Sequence, residues 1–207
     1  MPGLICLYGG TFDPVHYGHL KPLHELQQKL AADAFYILPA SIPPHRPAPQ
    51  ASSRQRVEML QLALQDYPDF ILDSRELERS GPSWTVLTLQ SFRRQYPDDS
   101  LCLVMGSDAF AGLPTWYHWQ EIFQLANIIV IERAGEAAFS TPDWAAAYMI
   151  DDMSRLRDRK CASILPVRLQ GYDISATDIR KRLNEGRDID DMLPAEVIDY
   201  IHQCGLY

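Results

Sequence analysis

The chain has 207 residues, of which 46% are hydrophobic and 22% charged, so it is long enough to bury a full core within one domain. Its 19 lysine and arginine residues stand against 27 aspartate and glutamate residues, which gives a net charge of −8 at pH 7. This acidic balance argues against binding to a nucleic-acid backbone, and no apolar run is long enough to span a membrane.

The first half of the sequence alternates segments with strand and helix patterns. A short apolar run at 4–8 predicts a buried strand, and leucines that recur every three or four residues over 20–30 predict a helix. The residues between these two segments must form the turn from strand to helix. The same alternation then predicts a strand at 34–38, a helix at 54–67, a strand at 70–72 and a helix at 86–96.

The second half continues this alternation. Apolar runs predict strands at 101–105, 127–131 and 164–169, with a tryptophan-rich helix between the first two. After the third strand the pattern predicts a helix that ends near Gly186, followed by a short helix at 194–204.

Two segments interrupt the alternation. Five prolines within 39–49 are incompatible with a helix or a central strand, so an exposed loop is predicted there. Alanine-rich stretches within 135–160 predict helices outside the sheet. The charge run at 155–160 is predicted to be a solvated face.

The strand runs are continuously apolar, which indicates strands that are covered on both faces. Such strands are typical of a parallel sheet built from right-handed strand–helix–strand units. We therefore predict an α/β fold that forms a single domain over 1–207, with a small C-terminal helical part at 171–207. In such sheets ligands bind beyond the carboxyl ends of the strands.

The four cysteines lie far apart in the sequence and form no C-x-x-C pair. This spacing favours reduced thiols over a disulfide framework or a zinc knuckle, and Cys6 and Cys102 are predicted to fill the core. No basic segment followed by a long apolar stretch opens the chain, so a cytoplasmic location is expected.

The turn after the first strand carries both glycines and histidines. Gly9 and Gly10 would let the backbone pass close to a ligand, and the N–H groups that open the next helix make a site for an anion. His16 and His19 are predicted to face the same side and to donate ring N–H groups to phosphoryl oxygens. Gly18 between them would let a phosphate come close. The turn therefore predicts phosphate binding.

Other interpretations of this turn were weighed against phosphate binding. Its glycines do not follow the G-x-G-x-x-G pattern of dinucleotide-binding folds, and no P-loop sequence occurs in the chain. A zinc ion between His16 and His19 lacks an evident third ligand at a suitable spacing. Taken alone, the turn also fits two histidines that have only a structural role.

A second segment, 171–180, predicts another anion-binding site late in the chain. It opens a helix that Ser175 or Thr177 can cap, and Arg180 lies on the same face one turn later. A guanidinium beside a helix N-terminus can hold oxyanions, although an ordinary cap with a surface arginine is the alternative for this segment alone. Two such anion-binding sites at the ends of two strands predict that a polyphosphate binds between them.

Together the two segments resemble a known pair of signatures. Residues 9–19 read G-G-T-F-D-P-V-H-Y-G-H and residues 174–180 read I-S-A-T-D-I-R, similar to the H-x-G-H and I-S-x-T-x-x-R motifs of the nucleotidyltransferase superfamily. Within it the chain resembles the bacterial nicotinate-mononucleotide adenylyltransferases over nearly its whole length. The middle markers of this resemblance are P-P-H-R at 43–46, S-W-T-V-L-T-L at 83–89, G-S-D at 106–108, and W-Y at 116–117 before Trp119.

The resemblance implies a Rossmann-like fold and a reaction in which a mononucleotide phosphate attacks the α-phosphorus of ATP. The implied substrates are nicotinate mononucleotide and ATP, with Mg²⁺ on the ATP phosphates and no metal ligand from the protein. Catalytic roles would fall on His16, His19 and Arg180. The implied ATP-binding residues further include Gly9, Gly10, Thr11, Phe12, Gly106, Asp108, Ile174, Ser175 and Thr177.

The resemblance also implies an acceptor site. Trp116 would stack on a pyridine ring, although a tryptophan at this position could equally belong to the core. Backbone N–H groups of Thr85 and Tyr117 would bind the nicotinate carboxylate, which favours the acid over the amide. His45 and Arg46 would reach the acceptor phosphate.

Three alternatives stay open at this point. The acceptor could differ, as in pantetheine-phosphate adenylyltransferase or a cytidylyltransferase, although the tryptophan-rich middle argues against both. A truncated class I aminoacyl-tRNA synthetase is disfavoured by the acidic chain and by the lack of a lysine-serine-lysine loop. A nucleotide-binding regulator without turnover is the alternative from another class. No nucleic-acid or membrane partner is expected, and the sequence leaves open whether the chain forms a homo-oligomer.

Overall fold

A computed structural model of the protein describes residues 2–41, 48–133 and 140–207. These residues form one six-stranded sheet in which every neighbouring pair of strands is parallel, as predicted. The strands are β1 (Leu4–Gly10), β2 (Ala34–Pro39), β3 (Phe70–Leu72), β4 (Ser100–Gly106), β5 (Asn127–Arg133) and β6 (Ile164–Leu169). Each predicted strand is present.

The strand order across the sheet is β3-β2-β1-β4-β5-β6. The chain moves outward from β1 to β3, then crosses to the other side of β1 and moves outward again. This reversal opens a crevice at the carboxyl ends of β1 and β4, where doubly wound sheets bind their ligands.

Eight α-helices occur in the described residues. They are α1 (Tyr17–Leu30), α2 (Ser53–Ala63), α3 (Arg75–Glu78), α4 (Thr85–Gln95), α5 (Ser107–Ala111), α6 (Trp119–Leu125), α7 (Ala176–Asn184) and α8 (Ala195–Cys204). The helix predicted over 54–67 ends earlier, at Ala63, and continues as a 3-10 turn at Leu64–Asp66. The other helices of the alternation begin and end within a few residues of their predicted limits.

Side chains alternate across β1 and so belong to two core layers. Leu4 and Cys6 pack in one layer with residues of α1, α2 and α8, whereas Ile5 and Leu7 pack in the other with residues of α4 and α6. Helices therefore cover both faces of the sheet, and the predicted α/β, Rossmann-like class is confirmed. Cys6 is fully buried with a free thiol, as predicted for a core position.

The prediction of a tryptophan-rich helix between β4 and β5 was wrong in detail. The segment consists of α5, a 3-10 turn at Leu113–Thr115 and α6. His118 adopts a left-handed conformation (φ 50°) and separates the last two. Trp116 therefore lies outside any helix, because the 3-10 turn ends at Thr115 and α6 begins only at Trp119.

The prediction for 135–160 also needs correction. The described part contains the short 3-10 helices Asp143–Tyr148 and Met153–Leu156 in place of full helices. In the charge run, Arg155 and 158–160 are exposed as predicted. Leu156, however, is fully buried, and Arg157 donates to the Asp33 carboxylate at 2.7 Å. Part of this run therefore packs against the amino-terminal edge of the sheet.

The two C-terminal helices differ in how they pack. α8 lies against α2 and buries Val197, Ile198 and Ile201, as its spacing predicted. α7 fully buries only Ile179, and its other residues are partly buried or exposed. No helix within the described ranges is both long and apolar enough to cross a membrane.

Candidate active site

The carboxyl ends of β1 and β4 lie side by side, and both end in glycine. Tyr8 of β1 pairs with Val104 of β4, so Gly10 and Gly106 end their strands at the same edge of the sheet. A Cβ atom at Gly9 would meet only the Leu38 carbonyl oxygen, at 4.0 Å. The protein itself therefore does not require glycine at that position.

The turn between β1 and α1 folds inward. Phe12 has a left-handed backbone (φ 52°), and the peptide bond between Asp13 and Pro14 is cis. The Phe12 ring lies against Gly10, where a Cβ atom would come within 2.8 Å of it. Residues 12–16 are all buried. The turn is consequently a fixed structure and not an exposed loop.

His16 and His19 are brought together at the start of α1. Their imidazole rings stack with centroids 3.8 Å apart and planes at 25°. His16 is 4% exposed, whereas His19 is half-buried, and the Phe12 ring meets His19 edge-on at 5.2 Å. The two histidines thus face the same side, as the spacing of three residues predicted.

Gly18 is the point at which the two sequence motifs touch. A Cβ atom there would lie 2.7 Å from the carbonyl oxygen of Ile174 and 2.9 Å from Nδ1 of His16. We predicted that this glycine makes room for a phosphate. The structure gives a different reason, since a side chain at Gly18 would push the 174–180 segment away from the first turn.

A small cavity lies where these elements meet. His19 and Gly106 both line it, so the predicted ATP-binding residues of α1 and of the β4 end share one space. The Asp108 carboxylate folds back over Gly106, with Oδ1 2.7 Å from where a Cβ atom would stand. The remaining lining residues are Tyr8, Gly18, Pro22, Leu23 and Ile131.

Arg180 connects the late segment to the first turn. Its Nη1 donates to the carbonyl oxygen of Asp13 at 2.6 Å, and its Nη2 makes a weak contact of 3.4 Å with the Thr177 hydroxyl. Ser175, and not Thr177, caps α7 by accepting from the N–H of Asp178 at 3.1 Å. The sequence left that choice open.

The predicted acceptor residues are only partly brought together. The Trp84 ring, next to Thr85 at the start of α4, lies 4.9 Å from the half-exposed Tyr117 ring. Trp116 packs partly against the core layer that contains α6. His45 and Arg46 lie outside the described residues. Ser41 and Ser83, which flank these segments, are joined by a 2.8 Å hydrogen bond from backbone N–H to hydroxyl.

Sequence reasoning missed three residues that hold the first turn in place. The Asp13 carboxylate accepts hydrogen bonds from the backbone of Gln50 and Ala51 and from the Tyr207 hydroxyl. Arg56, 1% exposed, donates to the carbonyl oxygen of Thr11 at 2.6 Å. Arg56 shares a face of α2 with buried apolar residues, and a charged residue on that face was the available signal.

The electrostatics of this cluster follow from its burial. Desolvation lowers the pKa of the Arg56 guanidinium, although the nearby Asp13 carboxylate acts in the opposite direction. Desolvation, together with the hydrogen bond to Asp13, raises the pKa of the Tyr207 hydroxyl far above its ordinary value. Tyr207 therefore remains a proton donor at any pH at which the protein would work.

A wider surface groove lies elsewhere, between β3 and α4. It contains none of the predicted site residues, and Arg75, which lines it, bonds to Asp73, Ser91 and Gln95. Arg75 also stacks on the Phe92 ring at 3.5 Å. These groups satisfy one another, and we assign no ligand to the groove.

Comparison with known proteins places this arrangement in a family. The model of the family described as cytidylyltransferase-like matches residues 7–182. A Klebsiella pneumoniae protein named "Probable nicotinate-nucleotide adenylyltransferase" is 43% identical over 100% of this chain and 98% of its own length. A Legionella pneumophila protein of the same name is 46% identical over 98% of each chain.

A solved structure supports the fold. The Plasmodium falciparum nicotinic acid mononucleotide adenylyltransferase complexed with NaAD superposes with a TM-score of 0.74 at 20% identity, covering 98% of this chain and 96% of that one. At this identity the likeness concerns the fold alone. From the family match and the full-length relatives together, the chain belongs to the cytidylyltransferase-like family and, within it, to the nicotinate-nucleotide adenylyltransferases.

Proposed function

We propose that the protein transfers the adenylyl group of ATP to nicotinate mononucleotide, which yields nicotinate adenine dinucleotide and pyrophosphate in NAD biosynthesis. The full-length relatives carry the name of this activity at 43% and 46% identity. The structural observation that carries the proposal is the contact of Arg180 with the carbonyl oxygen of Asp13 at 2.6 Å. Through it the two motifs, 167 residues apart, form one site at the carboxyl edge of the sheet.

Gly9, Gly10 and the backbone of Thr11 and Phe12 would receive the triphosphate at the end of β1. The space at Gly9 supports this role, because a Cβ atom placed there would meet no protein atom closer than 4.0 Å. On the far side, Arg180 and the capped N-terminus of α7, with Ile174, Ser175 and Thr177, would hold the outer phosphates. Gly106 and Asp108 would lie beside ribose hydroxyls.

The chemistry then needs positioning and charge stabilisation more than proton transfer. The attacking phosphate of the mononucleotide is already an anion at neutral pH, so no general base is required. His16 and His19 would donate ring N–H groups to the charge that develops on the α-phosphoryl and pyrophosphate oxygens. Their stacking fixes both rings in advance, so that little reorganisation is needed when the charge develops.

Mg²⁺ is expected to arrive on the ATP phosphates. Around the phosphates the proposed site offers imidazoles, a guanidinium and N–H groups, and these suit phosphate oxygens better than they suit a magnesium ion. In the part of the chain that the structure describes, no cluster of three histidine, cysteine or acidic residues could hold a metal ion. When bound, the ion would neutralise charge on the leaving pyrophosphate.

The acceptor would lie near the Trp84–Tyr117 pair. The first N–H groups of α4, beginning at Thr85, have no partner within the helix and could bind the nicotinate carboxylate together with the N–H of Tyr117. Trp116 would stack on the pyridine ring, and His45 and Arg46 would contact the acceptor phosphate. We further propose that residues 1–207 work as one domain, with 171–207 supplying the outer phosphate grip.

The test is a side-by-side measurement of pyrophosphate release from ATP with nicotinate mononucleotide, nicotinamide mononucleotide and phosphopantetheine. We expect the highest kcat/KM with nicotinate mononucleotide. A higher kcat/KM with phosphopantetheine would instead indicate a pantetheine-phosphate adenylyltransferase. Binding of ATP without release of pyrophosphate with any of the three acceptors would favour a regulator without turnover.

A further inference from the structure

The buried carboxylate of Asp13 accepts three hydrogen bonds from one side. Oδ1 accepts from the N–H of Ala51 at 3.0 Å and from the Tyr207 hydroxyl at 2.7 Å, and Oδ2 accepts from the N–H of Gln50 at 2.9 Å. Asp13 is only 6% exposed. Three donors fix the direction in which this negative charge points.

Arg180 lies on the other side of Asp13 but bonds to its backbone. Nη1 is 2.6 Å from the Asp13 carbonyl oxygen, whereas it is 3.9 Å from Oδ2, which is too long for a hydrogen bond. A close two-point pair between guanidinium and carboxylate, which is the geometry these groups prefer, is therefore not made. The guanidinium keeps N–H groups that can turn to another anion.

The end of α8 brings Tyr207 to this position. Gly205 takes a left-handed conformation (φ 59°), and the N–H of Leu206 bonds back to the carbonyl oxygen of Ile201 at 3.0 Å. This reversal turns Tyr207 inward, so that its ring packs on the core layer of α1, α2 and α8. Its hydroxyl then reaches Asp13, 194 residues earlier in the sequence.

We propose that Tyr207 is a positioning residue for Arg180. Its hydroxyl holds the Asp13 carboxylate away from the guanidinium, which leaves Arg180 available to the phosphates of ATP. Without this hydroxyl, Oδ1 loses one of its two donors, and the carboxylate can swing toward Arg180 and pair with it. ATP would then have to compete with an internal anion. The inference rests on the proposed role of Arg180 in binding ATP.

The test compares Tyr207→Phe with the unaltered protein, and it uses the affinity for α,β-methylene-ATP without acceptor in addition to turnover. We expect the Kd of this analogue and the KM for ATP to rise roughly five- to tenfold, because the Asp13 carboxylate would occupy Arg180 in most molecules and reduce the fraction that can bind ATP. The KM for the mononucleotide should stay within about twofold, because Tyr207 acts through Arg180 alone. Tyr200→Phe is the matched control, since Tyr200 lies on α8 and bonds to Glu58 on α2.

A double-variant cycle separates positioning from general stability. In an Arg180→Ala background, Tyr207→Phe should cause no further loss of affinity for the analogue, because the group through which it acts is gone. An equal loss in both backgrounds, or an unchanged Kd in Tyr207→Phe, would overturn the proposal. Tyr207→Leu removes the hydroxyl and the ring, so it should lower the melting temperature further while weakening the analogue by the same factor.

The experiment distinguishes failure of this inference from failure of the proposed function. Binding of the analogue is measured without any acceptor, so the cycle gives its result even if nicotinate mononucleotide is not the acceptor. A protein that binds the analogue but does not turn over nicotinate mononucleotide loses only the proposed acceptor. A protein that does not bind the analogue at all loses both proposals.

Discussion

The imidazole rings of His16 and His19 stack face to face, 3.8 Å between centroids, at the first turn of α1. His16 is the buried member of the pair, and His19 lines the small cavity beside Gly106. The two rings therefore differ in their access to the cavity, while both are proposed to donate to phosphate oxygens.

His19→Ala should leave the fold intact and lower kcat by about a hundredfold or more, the loss found when a donor to a developing charge is removed. The measurement is pyrophosphate release at saturating ATP and mononucleotide. His24→Ala, the same change on the same helix, is the control, because His24 meets the Tyr67 ring away from the cavity. A kcat within a fewfold of the unaltered protein would remove His19 from the mechanism.

Gly18→Ala should separate the two motifs. The added Cβ atom would stand 2.7 Å from the Ile174 carbonyl oxygen, which belongs to backbone and cannot rotate away. We expect the KM for ATP to rise more than tenfold, an effect of about 1.4 kcal/mol or more. Gly112→Ala is the control, since its nearest contact would be an ordinary 3.6 Å. Unchanged ATP kinetics in Gly18→Ala would show that the contact between the motifs is not needed.

Arg56→Met should lower the free energy of unfolding by about 2–3 kcal/mol, because it removes the buried guanidinium that donates to the Thr11 carbonyl oxygen at 2.6 Å and to the Ser53 hydroxyl at 3.1 Å. Urea denaturation measures this directly. Arg54→Met is the matched control, since the Arg54 side chain is 88% exposed and pairs with Glu58 on the surface. Equal losses in both variants would contradict a structural role for the buried guanidinium.

Trp116→Ala should weaken the mononucleotide and leave ATP nearly unaffected. Loss of one stacking platform is expected to raise the mononucleotide Kd by about tenfold. Calorimetric titration of each substrate into the same variant supplies both values. Equal weakening of both substrates would mean that Trp116 is a core residue, which its partial packing against the α6 layer also allows.

The pH dependence of stability should carry a contribution from Asp33. The N–H of Leu4 and the guanidinium of Arg157, each 2.7 Å from the carboxylate, hold its pKa below the ordinary value of 3.8. The stabilisation is therefore complete above that value and is lost as the pH falls through the lower pKa of the folded state. Asp33→Asn should cost about 1 kcal/mol at pH 7, since the pair is half-exposed, and the cost should vanish at lower pH. A cost of Asp33→Asn that is the same at every pH would contradict this assignment.

The sheet and its helices could be predicted because their signals are local. Continuous apolar runs and leucines at helical spacing depend only on neighbouring residues, and all six strands followed from them. The tryptophan-rich helix was wrong because His118 takes a left-handed conformation that nothing in its neighbours indicates.

The site was predictable in part for a physical reason. In a parallel sheet, the carboxyl ends of all strands meet at one edge, so motifs that follow β1 and β6 must approach each other. What that rule does not give is the partner of each group. Gly18 faces Ile174, and Arg180 faces the backbone of Asp13, because of packing between segments that are far apart in sequence.

The residues that hold the first turn from behind were missed. For Arg56 the sequence offers one signal, a charge on the apolar face of α2, but not the identity of its partner, and Tyr207 has no motif around it. Their contacts span 45 and 194 residues respectively, which no local pattern can indicate. The roles assigned to individual site residues, including His45 and Arg46, stay predictions, as does the cytoplasmic location.

The link between Asp13 and Tyr207 also bears on the order of assembly. The groups that supply the arginine and fix the carboxylate of the first turn lie 167 and 194 residues beyond Asp13 in the sequence. Contacts at such separation close late in folding, because the intervening chain must be ordered first. A chain synthesised only as far as β6 would thus complete its sheet without Arg180 and Tyr207, and the proposed nucleotide site would form only after both residues had been added.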